Sequence, residues 1–257
     1  MRSNKTLALL RSGEPALGLW AQAGSPGLTE AATTLDLDWL LLDFEHGFGS
    51  AHEALSLVQA GHGNRGPDDG PTLLARIPSA EPVAIKKLLD LGVEGILAPQ
   101  IRTAKEAADI VAACNYPPKG KRGIGPSRAT GYFSDSADYF ARCNDEILVG
   151  VQIETREAID DLDAIAAVEG LDLLLIGPAD LSAAFGHFLD PRNEEVEALV
   201  DRVVAVCREH GKAAGYFCTS GKEAAERLAQ GFQVANVTTD LGGFLGAVRS
   251  QLKAARE

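Results

Sequence analysis

The sequence lacks the features that mark membrane-spanning and secreted proteins. No apolar run approaches the ~20 consecutive residues that a helix needs to cross a bilayer. Arg11 and Glu14 interrupt the short apolar segment near the start, so we expect no signal peptide. The four cysteines, at positions 114, 143, 207 and 218, show no CxxC spacing and are expected to be reduced thiols. These absences predict a cytoplasmic protein with no membrane partner.

Basic residues are outnumbered as well. The 257 residues include 24 lysines and arginines against 36 aspartates and glutamates, which gives a formal net charge of −12. A protein this acidic repels the phosphates of nucleic acids, and we therefore expect no nucleic-acid partner. The apolar fraction of 46% is that of an ordinary soluble globular protein. A single α/β barrel commonly reaches this length.

Eight apolar segments of strand length alternate with helical patterns along the chain. Their apolar character is nearly continuous, as expected for a parallel sheet that is covered on both faces. Eight strand–helix repeats predict a (β/α)8 TIM barrel in which residues 1–257 form one domain. The alternative is an open doubly wound sheet, but no GxGxxG motif follows the first strand. The predicted strands are 16–21, 39–44, 72–77, 94–99, 147–154, 171–177, 213–218 and 234–239.

The clearest helix patterns cover 81–92, 103–115 and 194–211. Two long segments, the polar 62–71 and the Pro/Gly-rich 116–134, interrupt the regular repeat. Long loops of this kind are often functional. The basic part of the second loop could hold a phosphate, but it has no P-loop pattern and follows no strand. A closing lid or a subunit contact is the favoured interpretation.

Polar side chains gather where the predicted strands end, which is the active-site face of such a barrel. Some of them also have a structural explanation. Asp180 could cap a short helix, Glu154 could be an acid in a first helical turn, and Glu45 could pair with Arg76. The convergence of the whole set nevertheless favours a functional site. Its members are Asp43, Glu45, His46, Arg76, Glu154 and Asp180.

Two of these carboxylates suggest a metal site. Glu154 and Asp180 lie one βα unit apart and should therefore end neighbouring strands. Adjacent carboxylates repel each other unless a positive charge lies between them. Oxygen ligands without a His or Cys cluster favour Mg²⁺ or Mn²⁺, with water and substrate as the remaining ligands, and Co²⁺ is possible at such an open site.

No lysine stands where a Schiff base could form. Such a mechanism needs a lysine inside the barrel, and Lys212, which comes closest, precedes the seventh strand and should lie at the opposite end. Metal-assisted chemistry is therefore favoured. With Arg76 to hold an anion and His46 to move a proton, the predicted reaction class is enolate formation beside a carboxylate.

Several long motifs resemble the HpcH/HpaI aldolase family of metal-dependent pyruvate aldolases. They occur in the same order and cover nearly the whole chain. The resemblance implies a (β/α)8 barrel that cleaves a 4-hydroxy-2-oxo acid to pyruvate and an aldehyde through a pyruvate enolate. The motifs are GLW (18–20), DWLLLDFEHG (38–47), EPVAIKKLLDLG (81–92), YPPKGKRGIG (116–125), VQIE (151–154), IGPADLSAAFGH (176–187) and GKAAG (211–215).

The resemblance also implies a role for each residue of the site. Glu154 and Asp180 correspond to the family's metal ligands, and His46 corresponds to its general base. Asp43 corresponds to the acid that pairs with this histidine, and Arg76 to the arginine that holds pyruvate and stabilises the enolate. Further substrate-binding residues follow from the same correspondence. They are Gln152, the backbone of Gly177, Pro178 and Ala179 at the pyruvate carboxylate, and Phe217, where the family often has a leucine in the aldehyde pocket.

Pairing of Asp43 with His46 requires a change of backbone geometry. In an extended strand, residues three apart point to opposite sides. We therefore expect the chain to leave the strand after Asp43, with Gly47 easing the turn. An oxygen of Asp43 should then lie within hydrogen-bond distance of the His46 ring.

Family members are typically hexamers that exchange their last helix. The resemblance therefore implies a homo-oligomer, a hexamer or trimer, in which residues 240–257 could be exchanged between subunits. An acyl-CoA lyase of the citrate-lyase β or malyl-CoA lyase type is the alternative function. A non-catalytic barrel is a further alternative, which the complete set of base, arginine and carboxylates disfavours.

Overall fold

The structure is a computed structural model that describes residues 1–50, 52–63 and 69–257. Eight parallel strands follow one another around a closed barrel, and the first strand pairs with the last. This confirms the predicted fold class, and every strand lies within its predicted segment. The strands are β1 (Ala16–Ala21), β2 (Trp39–Asp43), β3 (Thr72–Arg76), β4 (Gly95–Ala98), β5 (Leu148–Ile153), β6 (Leu173–Ile176), β7 (Ala213–Tyr216) and β8 (Val234–Thr239).

Helices pack around the barrel and fill the connections between the strands. The three clearest helix predictions are confirmed to within two residues at each end, as α4, α5 and α10. Within the described ranges the helices are α1 (Lys5–Ser12), α2 (Pro26–Ala32), α3 (Ala54–His62), α4 (Pro82–Leu91), α5 (Ala104–Cys114), α6 (Ser136–Glu146), α7 (Arg156–Asp160), α8 (Leu162–Ala166), α9 (Pro178–Ala184), α10 (Glu194–Glu209), α11 (Gly221–Ala229) and α12 (Asp240–Ala254).

The barrel interior is filled with apolar side chains at its N-terminal end. Trp39 and Leu41 of β2 point inward together with Leu74 of β3, because alternate residues of a strand share one face. Leu7 of α1 is buried in the same cluster, so α1 closes this end of the barrel. On β2 and β3, the charged side chains of Asp43 and Arg76 follow this apolar cluster, at the C-terminal ends of the strands.

The long segment 116–134 is anchored by a buried arginine. Arg122 donates a hydrogen bond to Asp90 of α4 at 2.6 Å, and its guanidinium lies 4.5 Å from the ring centroid of Tyr116. This part of the loop is therefore fixed against α4. In the other predicted loop, 62–71, residues 64–68 lie outside the described residues. None of the helices in the described part of the chain combines the length and hydropathy that a membrane span requires.

Candidate active site

Asp43 and Arg76 form the central ion pair of the C-terminal mouth. They end β2 and β3 and are partners in register across the two strands. Arg76 donates from Nη2 to Oδ2 of Asp43 at 2.6 Å and from Nε to Oδ1 at 2.9 Å. Burial acts to raise the pKa of Asp43, but the hydrogen bonds and charge of Arg76 outweigh it and hold that pKa below its usual value. Asp43 is therefore an ionised, buried carboxylate.

Trp20 of β1 completes the surroundings of this ion pair. Its indole Nε1 donates to Asp43 Oδ2 at 3.1 Å. Its ring centroid lies 5.0 Å from the guanidinium carbon of Arg76. Phe217, which follows β7, packs edge-on against the same indole with the ring centroids 5.0 Å apart. Phe217 therefore packs against the indole that borders the ion pair.

The predicted hydrogen bond between Asp43 and the His46 ring is wrong. Oδ1 of Asp43 instead accepts hydrogen bonds from the backbone N–H groups of Glu45 and His46, at 3.1 and 3.2 Å. The His46 side chain is 66% exposed, whereas that of Asp43 is fully buried. The physical reason is that Arg76, Trp20 and the turn itself already occupy the Asp43 oxygens, so the ring is left at the mouth.

The turn after Asp43 does have the expected change of geometry. β2 ends at Asp43, and the chain then bends through residues 44–48. A Cβ atom on Gly47 would lie 2.2 Å from the backbone oxygen of Asp43, so only glycine permits this close approach. The turn brings His46 and Glu45 to the same mouth as Asp43.

Glu45 contributes more to the site than its sequence context suggested. Its Oε2 lies 2.9 Å from Nη1 of Arg76, and its Oε1 lies 3.9 Å from Nε2 of His46. Burial raises the pKa of Glu45, and the charges of Asp43 and Asp180 act in the same direction, against the lowering by Arg76 and His46. Glu45 thus stands between the arginine and the imidazole.

Glu154 lies at the end of β5 and is only 3% exposed. Gln152 of the same strand donates to its Oε2 at 2.8 Å. The amide oxygen of Gln152 accepts a hydrogen bond from Nη1 of Arg76 at 3.3 Å. Gln152 therefore connects the buried carboxylate to the central arginine, and one hydrogen-bonded network joins β2, β3 and β5.

The electrostatics of Glu154 reflect its neighbours. Burial, together with the charges of Asp180 and Glu45, raises its pKa to about 7, against the lowering by the Gln100 backbone and by Arg76. Asp180, in the first turn of α9, lines the same cleft. A Cβ atom at Gly177, the residue after β6, would lie 2.2 Å from Glu154 Oε2, so a larger residue there would displace the carboxylate from its observed position.

Gln100 is a site residue that the sequence analysis missed. It follows β4 and donates to Glu154 Oε1 from its backbone nitrogen at 2.8 Å and from Nε2 at 3.1 Å. Its position just after a strand could have indicated a role in the site. The sequence analysis selected charged and titratable residues, and Gln100 is a neutral residue that follows Pro99.

The sequence of this chain is similar to those of a known protein family. Residues 16–247 match the family described as HpcH/HpaI aldolase/citrate lyase. The chain belongs to this family. It is 36% identical over 241 residues to the 5-keto-4-deoxy-D-glucarate aldolase of Salmonella paratyphi C (strain RKS4594), an alignment covering 94% of this chain and 92% of that protein.

Solved structures of HpcH/HpaI proteins have the same fold. A family member from Burkholderia cenocepacia J2315 has a TM-score of 0.92 and 32% identity, over 99% of this chain and all of the other. The HpcH/HpaI aldolase from Desulfitobacterium hafniense DCB-2 has a TM-score of 0.86 and 26% identity, over 97% and 96% of the two chains. The resemblance carried by the sequence motifs is thus confirmed, and this HpcH/HpaI chain is a carbon–carbon lyase.

The position of Lys212 agrees with its exclusion from catalysis. Its ammonium group donates to the backbone oxygens of Val168 and Leu171, at 3.0 and 2.8 Å. These residues precede β6, so Lys212 lies at the end of the barrel opposite the Asp43–Arg76 pair.

Proposed function

We propose that this HpcH/HpaI protein is a metal-dependent aldolase that cleaves or forms a 4-hydroxy-2-oxo acid through a pyruvate enolate. One observation carries the proposal. A buried arginine at the mouth, fixed by Asp43, is connected through Gln152 to the buried carboxylate of Glu154. Such a site combines a cationic group for a developing enolate oxygen with a carboxylate that a divalent cation can bind.

The residues fit a hard divalent cation. No group of three or more His, Cys, Asp or Glu side chains suited to a metal occurs among the described residues. Mg²⁺ and Mn²⁺ do not need one, since they are commonly held by one or two carboxylates, with water and substrate as further ligands. Glu154 and Asp180 would hold the ion, and its charge would relieve the repulsion that contributes to the raised pKa of Glu154. Mg²⁺ or Mn²⁺ is proposed, with Co²⁺ as a possible substitute.

The metal, when bound, supplies Lewis-acid polarisation of the 2-oxo group. Arg76 would hold the same oxygen and stabilise its negative charge as the C3–C4 bond breaks. Asp43 keeps the guanidinium in place, as its two hydrogen bonds indicate. His46, exposed at the mouth, would take the proton from the C4 hydroxyl group, with Glu45 beside it. Asp43 is thereby proposed to orient Arg76 rather than the imidazole.

The remaining residues would bind the rest of the substrate. The backbone at Gly177, Pro178 and Ala179, where α9 begins, is proposed to take the pyruvate carboxylate. Gln152 is proposed to contact pyruvate, and Phe217 to line the aldehyde pocket. The name of the Salmonella relative supports a sugar-acid substrate of the 2-oxo class.

Pyruvate enolisation tests this function without knowledge of the aldehyde. In deuterated buffer, the unchanged chain with Mg²⁺ or Mn²⁺ should exchange the methyl protons of pyruvate, as followed by proton NMR. Exchange should disappear with a chelator and in Glu154→Gln. Absence of metal-dependent exchange, together with absence of pyruvate release from 4-hydroxy-2-oxo acids, would contradict the proposal.

The family description also includes citrate lyases, which makes an acyl-CoA lyase the second candidate. Such an enzyme would form the enolate of a thioester instead of a 2-oxo acid. Exchange of the acetyl protons of acetyl-CoA, without exchange of pyruvate, would favour this alternative over the aldolase.

We also propose a homo-oligomer, a hexamer or trimer, in which residues 240–257 are exchanged between subunits. The support is that α12 buries none of its residues and exposes Phe244, Leu245, Val248 and Leu252. Light scattering should give a hexamer or trimer, and a Phe244→Ser/Val248→Ser variant should dissociate. A monomeric unchanged chain would contradict this assembly. Cytoplasmic location stays a prediction.

A further inference from the structure

Gln100 has an unusual backbone conformation for its residue type. Its φ is +56°, in the left-handed region, which residues other than glycine adopt infrequently. This conformation allows the backbone N–H and the side-chain amide of the same residue to donate to one oxygen, Oε1 of Glu154. Gln100 itself is exposed to solvent, whereas Glu154 is buried. Gln100 therefore covers the carboxylate from the side of the solvent.

The hydrogen bonds leave little of the Glu154 carboxylate unused. An ionised carboxylate offers about four acceptor sites, two on each oxygen. Gln100 occupies both sites of Oε1, and Gln152 occupies one site of Oε2. The fourth site, on Oε2, remains for another ligand. Gly177 has no Cβ atom that would fill the space beside this oxygen.

We propose that Gln100 is a positioning residue that saturates Oε1 of Glu154 and so presents Oε2 to a divalent cation. The proposal rests on the metal site of the proposed function but concerns a residue that does not itself bind the ion. Groups that hydrogen-bond to metal ligands fix ligand orientation, and their mutation typically weakens metal binding by about 10–100-fold. The backbone bond of Gln100 survives most substitutions, so the lower end of this range is expected.

Mn²⁺ binding tests the proposal directly. The unchanged full-length chain is titrated with Mn²⁺, and free Mn²⁺ is measured by EPR. Gln100→Leu removes the side-chain donor but leaves the backbone donor, and it should raise the Kd for Mn²⁺ about tenfold. The melting temperature of the metal-free protein should not change. At saturating Mn²⁺, the KM for pyruvate in methyl-proton exchange should also stay within twofold of the unchanged chain.

Two further variants separate positioning from folding. Gln100→Gly removes the same side chain and permits the left-handed φ, so it should weaken Mn²⁺ binding as Gln100→Leu does, with an equal or higher melting temperature. Lys105→Leu is the matched control. The Lys105 side chain is 83% exposed and pairs with Asp109, and both residues lie on α5, the helix that follows Gln100. The Kd of this control variant for Mn²⁺ should lie within twofold of that of the unchanged chain.

The outcomes separate this proposal from the proposed function. An unchanged Kd in both Gln100 variants, or a weaker Kd that follows a lower melting temperature in each, overturns the role of Gln100. Intact Mn²⁺ binding without pyruvate exchange contradicts the proposed function alone. Absence of Mn²⁺ binding by the unchanged chain contradicts both.

Discussion

At the N-terminal end of the barrel, a buried apolar cluster fills the interior and α1 closes the opening, whereas at the C-terminal end β2 and β3 carry charge. Along β2, Trp39 and Leu41 are followed by Asp43, and along β3, Leu74 is followed by Arg76. Along β2 and β3, the last apolar residue and the charged residue are successive inward positions. One end therefore stabilises the fold, whereas the other bears charged groups whose burial costs stability unless they are paired and hydrogen-bonded.

Removal of the arginine should have the largest effect at the charged end. Arg76→Ala leaves the fully buried carboxylate of Asp43 without its cation, which should cost about 3–5 kcal/mol in the free energy of unfolding. Metal-dependent pyruvate exchange should fall by at least about 10²–10³-fold, because the developing enolate loses its donor. Exchange is measured by NMR and stability by urea unfolding.

Arg227→Ala is the matched control for this variant. Arg227 is also fully buried, with bonds of 2.7 Å to both oxygens of Glu197, but it lies on α11 outside the mouth. It should lose stability while the exchange rate per folded molecule stays unchanged. Exchange by Arg76→Ala within tenfold of the unchanged chain would show that the arginine is not needed for enolate formation.

At the N-terminal end of the barrel, a substitution should reduce stability without changing activity. Leu7 of α1 is 1% exposed and packs in the barrel interior. Leu7→Ala should lower the free energy of unfolding by about 2–5 kcal/mol, since it removes buried methyl groups and leaves a cavity. Pyruvate exchange below the unfolding transition should not change. A loss of exchange without a loss of stability would mean that the two ends are coupled.

The pH dependence of stability should distinguish the buried Glu154 from ordinary surface acids. Its pKa rises from 4.5 to about 7 in the folded chain. A carboxyl group with a higher folded pKa holds its proton more tightly when folded, so its contribution to stability is present below about pH 4.5 and is lost as the pH rises to 7. Between pH 5 and pH 8, the metal-free chain should lose about 2–3 kcal/mol from this group.

Glu154→Gln removes this titration. The free energy of unfolding, measured in urea at pH 5 and pH 8, should therefore change by about 2–3 kcal/mol less in the variant than in the unchanged chain. Mg²⁺ should reduce the change in the unchanged chain. Glu14→Gln is the control, because Glu14 is an exposed acid in the turn between α1 and β1. Equal pH effects in the unchanged chain and in Glu154→Gln would contradict the raised pKa.

The sequence predicted the fold well because each strand is a local apolar segment, and these segments alternate regularly with helical patterns. The meeting of Arg76 with Asp43, and of Glu154 with Asp180, follows from the order of strands alone. The partner of each hydrogen bond does not follow from the order of the strands. Asp43 bonds to the backbone of His46 because the guanidinium and indole compete for its oxygens, and this competition is set by tertiary packing.

Gln100 illustrates a second limit. Its role depends on a left-handed φ and on two donors that reach one oxygen. Backbone propensity argues against this conformation for glutamine, so the surrounding loop must impose it. Residues of this kind become visible only when the hydrogen bonds of a buried group are counted one by one.

The smallest predicted effect concerns the apolar wall of the charged mouth. Phe217 packs against Trp20 and stands where the family often has leucine. Phe217→Leu should enlarge the aldehyde pocket and shift kcat/KM toward a branched aldehyde over a short one by about threefold to tenfold, since one or two methylene groups are worth little more in an apolar pocket. Pyruvate exchange should stay the same, because the ring lies outside the Arg76–Glu154 network. Phe140→Leu, at a 41% exposed position on α6, should leave the preference unaltered. An unaltered preference in Phe217→Leu would contradict the assignment of Phe217 to the aldehyde pocket.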